Sequence, residues 1–238
     1  MVKGADMRAD RRDRELPAFG TITAIRQQQS HPDRVNVFLD GEYAFAVTRE
    51  QALSAGLSIG RELSVDEVAS LRAGDMVSKA IEAALRLLVV RPRSEHELRD
   101  RLKRKNYEPE TIALALERVR GWGYLDDADF ARRWVENRVQ HRPRGERLLK
   151  QELRAKGVDN DTIAEVLEDA NIDEVAAAVE LARKSARRLS GLDPQVARRR
   201  LTGQLARRGF GWQAIEQAWL DVKETLNAGD DDPDDEVD

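Results

Sequence analysis

The sequence of 238 residues has no cysteine, few aromatic residues and no long apolar run. The absence of cysteine excludes a disulfide scaffold, a thiolate metal site and a cysteine nucleophile. No apolar stretch approaches the roughly 20 residues of a membrane-spanning helix, since even the run at 83–90 is interrupted by Arg86. The first 16 residues lack the apolar segment of a signal peptide. We therefore expect a soluble, cytoplasmic protein.

Charge is segregated along the chain, although the formal net charge is only −4. Seven of the last nine residues are acidic, which leaves +3 for the remainder. Three basic blocks, separated by acidic stretches, lie at 91–105, 131–156 and 182–208, with net charges of +4, +6 and +8. This alternation has a period near 50 residues and indicates internal repeats.

Three segments, 93–112, 144–163 and 196–215, align without gaps at offsets of 51 and 52 residues. Each contains two leucines four residues apart, which places them on one helical face. Each then continues with an Asn or Gly that tolerates the left-handed conformation and an apolar residue, a pattern typical of a Schellman cap. The leucine pairs are Leu98 and Leu102, Leu149 and Leu153, and Leu201 and Leu205, and the cap positions are Asn106, Gly157 and Gly209.

Another helical stretch precedes each aligned segment, and Asp126 and Asp173 are natural N-caps for two of them. Each unit is therefore predicted to contain three short helices, which should stack on their neighbours through shared apolar faces. The predicted fold is mainly α, with three tandem three-helix repeats. We place the repeats at 77–125, 126–172 and 173–227 and the preceding helical stretches at 77–90, 126–139 and 173–189.

Residues 16–73 differ from the repeats and are predicted to form a small N-terminal domain that contains a β-hairpin. Asp40 and Gly41 join two runs of β-branched and aromatic residues, which is a strong hairpin signal. The predicted strands are 22–29, 34–39 and 43–47.

Four further polar stretches complete this organisation. Residues 48–56 and 64–72 are predicted to be helical. The leader at 1–15 and the acidic tail at 228–238 contain too little apolar surface to build a core, so we expect both to be disordered.

Catalytic and metal sites find little support in the sequence. Asp126, Asp127 and Asp129 are spaced like metal ligands, but they also fit the positive first turn of a helix, and no second acidic cluster accompanies them. The three histidines stand in separate elements, which argues against a zinc site. No phosphate-binding glycine motif occurs. We therefore predict that the protein is not an enzyme and has no cofactor and no bound metal.

Ser94 and Glu97 are three residues apart, which predicts a capping box rather than a nucleophile with its base. Trp122, Phe130 and Trp134 are able to stack on nucleic-acid bases. The helical spacing of the last two nevertheless favours a place in the core.

Basic residues on the repeats are the main candidates for binding a partner. Lys105, Lys156 and Arg208 lie in the last turn of a helix, where they complement its dipole. Others lie off the leucine face and have no capping role, so we predict that they meet phosphates or an acidic protein face rather than solvent alone. The predicted partner-binding residues are Arg99, Lys103, Arg147, Lys150, Arg154 and Arg199.

Three runs of sequence resemble the RecX family, the bacterial regulators of the RecA recombinase: RPRSEHELRDRL at 91–102, GYLDDADFARRWVENR at 123–138 and RGERLLKQELRAKGV at 144–158. The resemblance implies tandem three-helix repeats that bind the groove of the RecA–DNA filament. It also implies restraint of the recombinase, ATPase and coprotease activities of RecA, and roles in DNA repair, recombination and the SOS response. The third repeat departs most, with Val196 and Ala197 in place of Arg-Ser or Arg-Gly.

The predicted partner is therefore the RecA filament, with single-stranded DNA as a second candidate, and the protein is expected to be a monomer that does not bind membranes. The alternative is a basic helical nucleic-acid-binding protein without recombinase specificity, because basic helices serve both functions. The third hypothesis, a metal-dependent nuclease, is supported only by the acidic cluster at 126–129. The acidic residues at 230–238 are expected to compete with the partner for the predicted partner-binding residues.

Overall fold

The structure is a computed structural model, and it describes residues 16–227. A small sheet comes first and helices follow. The strands are β1 (Gly20–Gln27), β2 (Arg34–Leu39), β3 (Glu42–Thr48) and β4 (Glu62–Leu63). The helices are α1 (Arg49–Ser54), α2 (Val65–Val90), α3 (Glu95–Lys103), α4 (Pro109–Gly121), α5 (Asp127–His141), α6 (Glu146–Ala155), α7 (Asn160–Ala170), α8 (Glu174–Leu189), α9 (Pro194–Arg207) and α10 (Trp212–Asn227). The two segments expected to be disordered, 1–15 and 228–238, lie outside the described residues.

The sheet is antiparallel with strand order β3-β2-β1-β4. Asp40 and Gly41 join β2 to β3 with φ values of 47° and 86°, the positive pair that a tight two-residue hairpin turn requires. Val37 and Leu39 of β2 are fully buried, and both belong to the apolar core of this domain. The predicted hairpin is thereby confirmed. Strand β4 was not predicted because two residues are too few to show alternation.

The two helical stretches predicted at 64–72 and 77–90 form one continuous helix, α2, so the predicted interruption is wrong. Asp75 lies within the segment that joins them and is buried against Arg34 of β2, which is itself buried. Lys79 lies one turn further along α2, with its Nζ 2.7 Å from the same carboxylate. These ion pairs connect the sheet to the middle of α2, in the segment between the two helical stretches that were predicted separately.

The described chain divides into two compact units. One consists of residues 16–89 with 101–122 and contains the sheet, α2 and α4. The other consists of residues 90–100 with 123–227 and contains the start of α3 and all of α5 to α10. The helices that carry most of the predicted partner-binding residues therefore lie in the second unit.

The predicted Schellman caps are present in all three repeats. At the end of α6, Gly157 has a φ of 78° and donates its N–H to the carbonyl of Arg154. The next residue, Val158, donates to the carbonyl of Leu153 at 3.1 Å. These are the two bonds of the motif. The other two repeats show the same bonds at Asn106 and Tyr107 and at Gly209 and Phe210.

The apolar cores of the second and third repeats are separate clusters. Phe130, Leu149 and Leu153 belong to one of them, which lies between α5, α6 and α7. Leu201 and Leu205 belong to the other, which is built from α8, α9 and α10. The two clusters have no residue in common. Among residues 16–227 these two cores do not merge into the shared apolar core expected from the repeat pattern. The repeats meet instead through polar and backbone contacts and through Leu148, which lies next to Gly209.

Candidate partner-binding surface

Helix α6 carries three of the six predicted partner-binding residues. Arg147, Lys150 and Arg154 are exposed or half-buried, whereas Leu149 and Leu153 of the same helix are completely buried. At 1.5 Å per residue, the three basic side chains span about 10 Å along the helix axis. We call Arg147, Lys150 and Arg154 the α6 basic row.

The positive charge of the α6 basic row is only partly balanced. Within residues 16–227, no acidic side chain pairs with Arg147. The Nζ of Lys150 lies 2.5 Å from a carboxylate oxygen of Glu146, and Nε of Arg154 donates to Oδ1 of Asn160 at 2.8 Å. Surface pairs one helical turn apart contribute only about 0.3–0.5 kcal/mol. The row is therefore available to an incoming anion.

The N-terminus of α6 is fixed to the third repeat. Gly145 donates its N–H to the carbonyl of Arg208 at 2.9 Å. The Glu174 carboxylate of α8 accepts the N–H of Glu146. A Cβ at Gly145 would overlap the backbone of Gly209, so this close approach requires glycine.

The C-terminus of α6 is fixed to the start of α3. The Ser94 hydroxyl donates to the carbonyl of Lys156 at 2.6 Å and accepts the N–H of Glu97, which is one of the two bonds of the predicted capping box. The Nζ of Lys156 lies 2.6 Å from the Glu97 carboxylate, and Arg91 binds that carboxylate at 2.9 Å. Helix α6 is thus held at both ends by neighbouring segments, which fixes the position of its basic row.

The ion pairs of Glu97 should make stability depend on pH. Burial raises the pKa of the Glu97 carboxyl, but hydrogen bonds and charge from Arg91 and Lys156 outweigh this effect and lower the pKa to about 2. The unfolded chain takes up this proton near pH 4.5, so the stabilisation is present above that pH and is lost as the pH falls towards 2. We expect the urea midpoint of the parent to fall more steeply over this range than that of Glu97→Gln. Parallel curves would contradict the role of these pairs.

The aromatic residues of the second repeat lie mainly in its core, as predicted. Phe130 is buried, and Trp134 packs against the same cluster. The indole N–H of Trp134 donates to Glu152 at 2.8 Å, and Nζ of Lys156 lies 5.0 Å from the ring centroid. Trp122, at the end of α4 in the first repeat, differs, because 55% of its surface is exposed.

The other predicted partner-binding residues lie on different helices. Arg99 of α3 pairs with Glu95 at 2.7 Å, which is the same one-turn arrangement as that of Lys150 in α6. Lys103 is exposed one turn further along α3, and Arg199 is exposed on α9. The structure therefore places three of the six predicted residues on α6, two on α3 and one on α9.

Acidic residues at the start of α5 and α8 have a role that the sequence analysis missed. Asp126 caps its own helix α5, as predicted. Asp127 instead accepts the N–H of Glu95, at the start of α3, at 2.8 Å. Glu174, which follows the N-cap Asp173, acts in the same way on α6. The signal in the sequence is a pair of acids, in which the first caps its own helix and the second caps a helix of the preceding repeat.

The described part of the chain shows neither a metal-binding cluster nor a membrane-spanning helix. Among residues 16–227, no group of three or more histidine, aspartate or glutamate side chains is placed to hold a metal ion. Asp129, which belongs to the weak acidic signal at 126–129, pairs with Arg133 at 2.8 Å. No helix within the same residues is long and apolar enough to cross a membrane.

Comparison with family models gives four matches along the chain. They correspond to the N-terminal domain of regulatory protein RecX and to the first, second and third three-helix domains of RecX. The matched residues are 20–64, 80–118, 126–167 and 172–219, in that order.

Curated relatives carry the same name. The chain is 35% identical over 198 residues to the regulatory protein RecX of Bacillus subtilis, covering 83% of this chain and 75% of the relative. It is 28% identical over 209 residues to the regulatory protein RecX of Clostridium botulinum, covering 87% of this chain and 96% of the relative.

Solved structures share the fold. A crystal structure of regulatory protein RecX aligns with a TM-score of 0.74 and 26% identity, covering 86% of this chain and 98% of that chain. The crystal structure of RecX from Lactobacillus salivarius aligns with a TM-score of 0.57 and 23% identity over 65% of this chain and 98% of that one, a likeness of fold alone. With four family models matched in order and a relative 35% identical over most of its length, this chain belongs to the RecX family of regulatory proteins.

Proposed function

We propose that this chain binds the RecA–DNA filament and restrains its recombinase, ATPase and coprotease activities. Its family consists of regulatory proteins, and their name connects them with RecA. The observation that carries the proposal is the α6 basic row on a helix held at both ends. Because the helix that carries these cations is already in place, binding an anionic partner costs no backbone ordering of α6.

The mechanism is occupancy of the filament rather than catalysis. The three repeats, which we place at 77–125, 126–172 and 173–227, lie along the filament groove and contact more than one RecA protomer. A bound chain then blocks the conformational cycle of RecA and the access of other partners. This role needs no catalytic group, and it places the protein in the cytoplasm, acting as a monomer in recombination, DNA repair and the SOS response.

Inhibition of RecA is the direct test. Added to RecA assembled on single-stranded DNA, the chain should slow DNA-dependent ATP hydrolysis and strand exchange at or below one chain per RecA protomer. A coupled ATPase assay measures the first effect, and an unrelated DNA-dependent ATPase on the same DNA is the control. Unchanged RecA rates, in a buffer where filament binding is demonstrated, would contradict the proposal.

A plain nucleic-acid-binding protein is the second candidate, because the α6 basic row suits phosphates as well as acidic side chains. A pull-down that compares the RecA filament, bare single-stranded DNA and free RecA separates the two functions. Preference for the filament over bare DNA supports the regulator. Equal retention by the filament and by DNA supports the nucleic-acid-binding alternative.

A further inference from the structure

Helices α8 and α10 run parallel. At their starts, the Glu174 carboxylate accepts the N–H of Gly211 at 3.3 Å. About nine residues further along both helices, Arg183 of α8 binds Asp221 of α10 with two hydrogen bonds of 2.6 and 2.8 Å. The pairs have sequence separations of 37 and 38 residues, so the two helices advance in the same direction and in step. Their C-terminal ends therefore lie side by side.

The C-terminal end of α8 carries positive charge that the described chain does not balance. Arg183 and Lys184 are paired with acids, but within residues 16–227 neither Arg187 nor Arg188 has an ion-pair partner. Both are exposed in the last turn. Their interaction with the helix dipole explains this position but leaves both charges facing solvent. Asp193, the next acid along the chain, caps α9.

The acidic segment of the chain begins next to these arginines. Helix α10 ends at Asn227, and seven of the nine residues at 230–238 are acidic. The first of them, Asp230, is three residues beyond the helix, within about 11 Å along an extended chain. The α6 basic row belongs to a helix whose start is bonded near the other end of α10, about 24 Å away along that helix. Of these two basic surfaces, the end of α8 is therefore the nearer to the acidic residues.

We propose that the acidic segment at 230–238 binds back on the C-terminal end of α8, at Arg187 and Arg188, and shields this surface from other polyanions. Each exposed ion pair is weak by itself. The covalent connection compensates, because it keeps the effective concentration of the acids in the millimolar range. The contact is accordingly electrostatic and sensitive to salt. It does not depend on RecA binding.

The absence of cysteine makes a clean test available. A nitroxide attached to Val237→Cys keeps all seven acids, and its paramagnetic broadening is read on the backbone amides of the full chain. We expect amides of the last turn of α8 to relax several-fold faster at about 20 mM salt than at about 500 mM salt. The amides of α6 serve as the internal reference and should be little affected.

Two variants distinguish broadening caused by electrostatic binding from broadening caused only by the covalent connection of the acidic segment to α10. Replacing all seven acids by their amides, or making Arg187→Gln with Arg188→Gln, should remove the extra broadening, and circular dichroism checks that each variant is folded. Broadening that is unchanged in either variant would overturn the proposal, as would broadening centred on α6. Because no RecA is present in the experiment, its outcome is independent of the proposed function.

Discussion

The triple variant Arg147→Glu, Lys150→Glu, Arg154→Glu should weaken binding to the RecA filament by about a hundredfold. Each reversed charge-assisted contact is worth on the order of 1 kcal/mol, and each 1.4 kcal/mol changes affinity tenfold. Stability should change little, within about 0.5 kcal/mol per site, because these side chains are exposed or half-buried. Fluorescence anisotropy over a range of salt concentrations measures the effect, and the variant should depend less on salt than the parent.

A matched control distinguishes the α6 basic row from net charge. Arg118→Glu, Arg132→Glu, Arg133→Glu makes the same change in charge at exposed positions on α4 and α5. This control should retain an affinity close to that of the parent. Parent-like affinity of the α6 variant, with an intact melting curve, would move the interface elsewhere, and the N-terminal hairpin would be the next surface to test.

Replacing Leu153 by alanine should lower the free energy of unfolding by about 2–5 kcal/mol, because it leaves a void in a core that cannot fully collapse. Leu153 is completely buried, and its carbonyl also accepts the N–H of Val158. Since the cores of the second and third repeats are separate, α5 to α7 should lose protection before α8 to α10. Urea unfolding gives the energy, and amide hydrogen exchange shows where protection is lost.

Leu220→Ala is the control for the core variant. Leu220 lies on α10 with 38% of its surface exposed, so the same truncation should cost less than about 0.5 kcal/mol. If Leu153→Ala unfolds at the urea concentration of the parent, the described packing around α6 is wrong. Equal loss of protection in both repeats would instead show that the two cores unfold as one.

Local features of the fold could be predicted from the sequence because the residues that produce them are close together in the chain. The leucines four apart, such as Leu149 and Leu153, define a buried face by spacing alone. Gly157 marks the end of α6 because glycine adopts a positive φ readily. The α6 basic row follows from the same periodicity, since basic residues off the leucine face must point away from the core.

The contacts that hold these elements in place could not be predicted, because they join distant residues. Asp75 and Arg34 are 41 positions apart, and their buried contact joins the middle of α2 to the sheet. Ser94 and Lys156 are 62 positions apart, so neither the leucine spacing nor the capping box shows that α3 meets the end of α6. The pairing of Lys150 with Glu146 is predictable from their spacing of four residues. It changes the charge of the α6 surface but does not hold one element against another.

The close approach of Gly145 to Gly209 limits how such an array can be rearranged. Ser94 holds the aligned position one repeat earlier, where its hydroxyl reaches the carbonyl of Lys156, whereas Gly145 reaches the carbonyl of Arg208 with its backbone N–H. A serine at this helix start would place its β-carbon against the backbone of Gly209. Duplicating a repeat, or transplanting one into another position, would therefore bring a helix start against a loop that does not fit it. The interchangeable module for evolution or design is a helix start together with the loop that receives it, not the three-helix repeat.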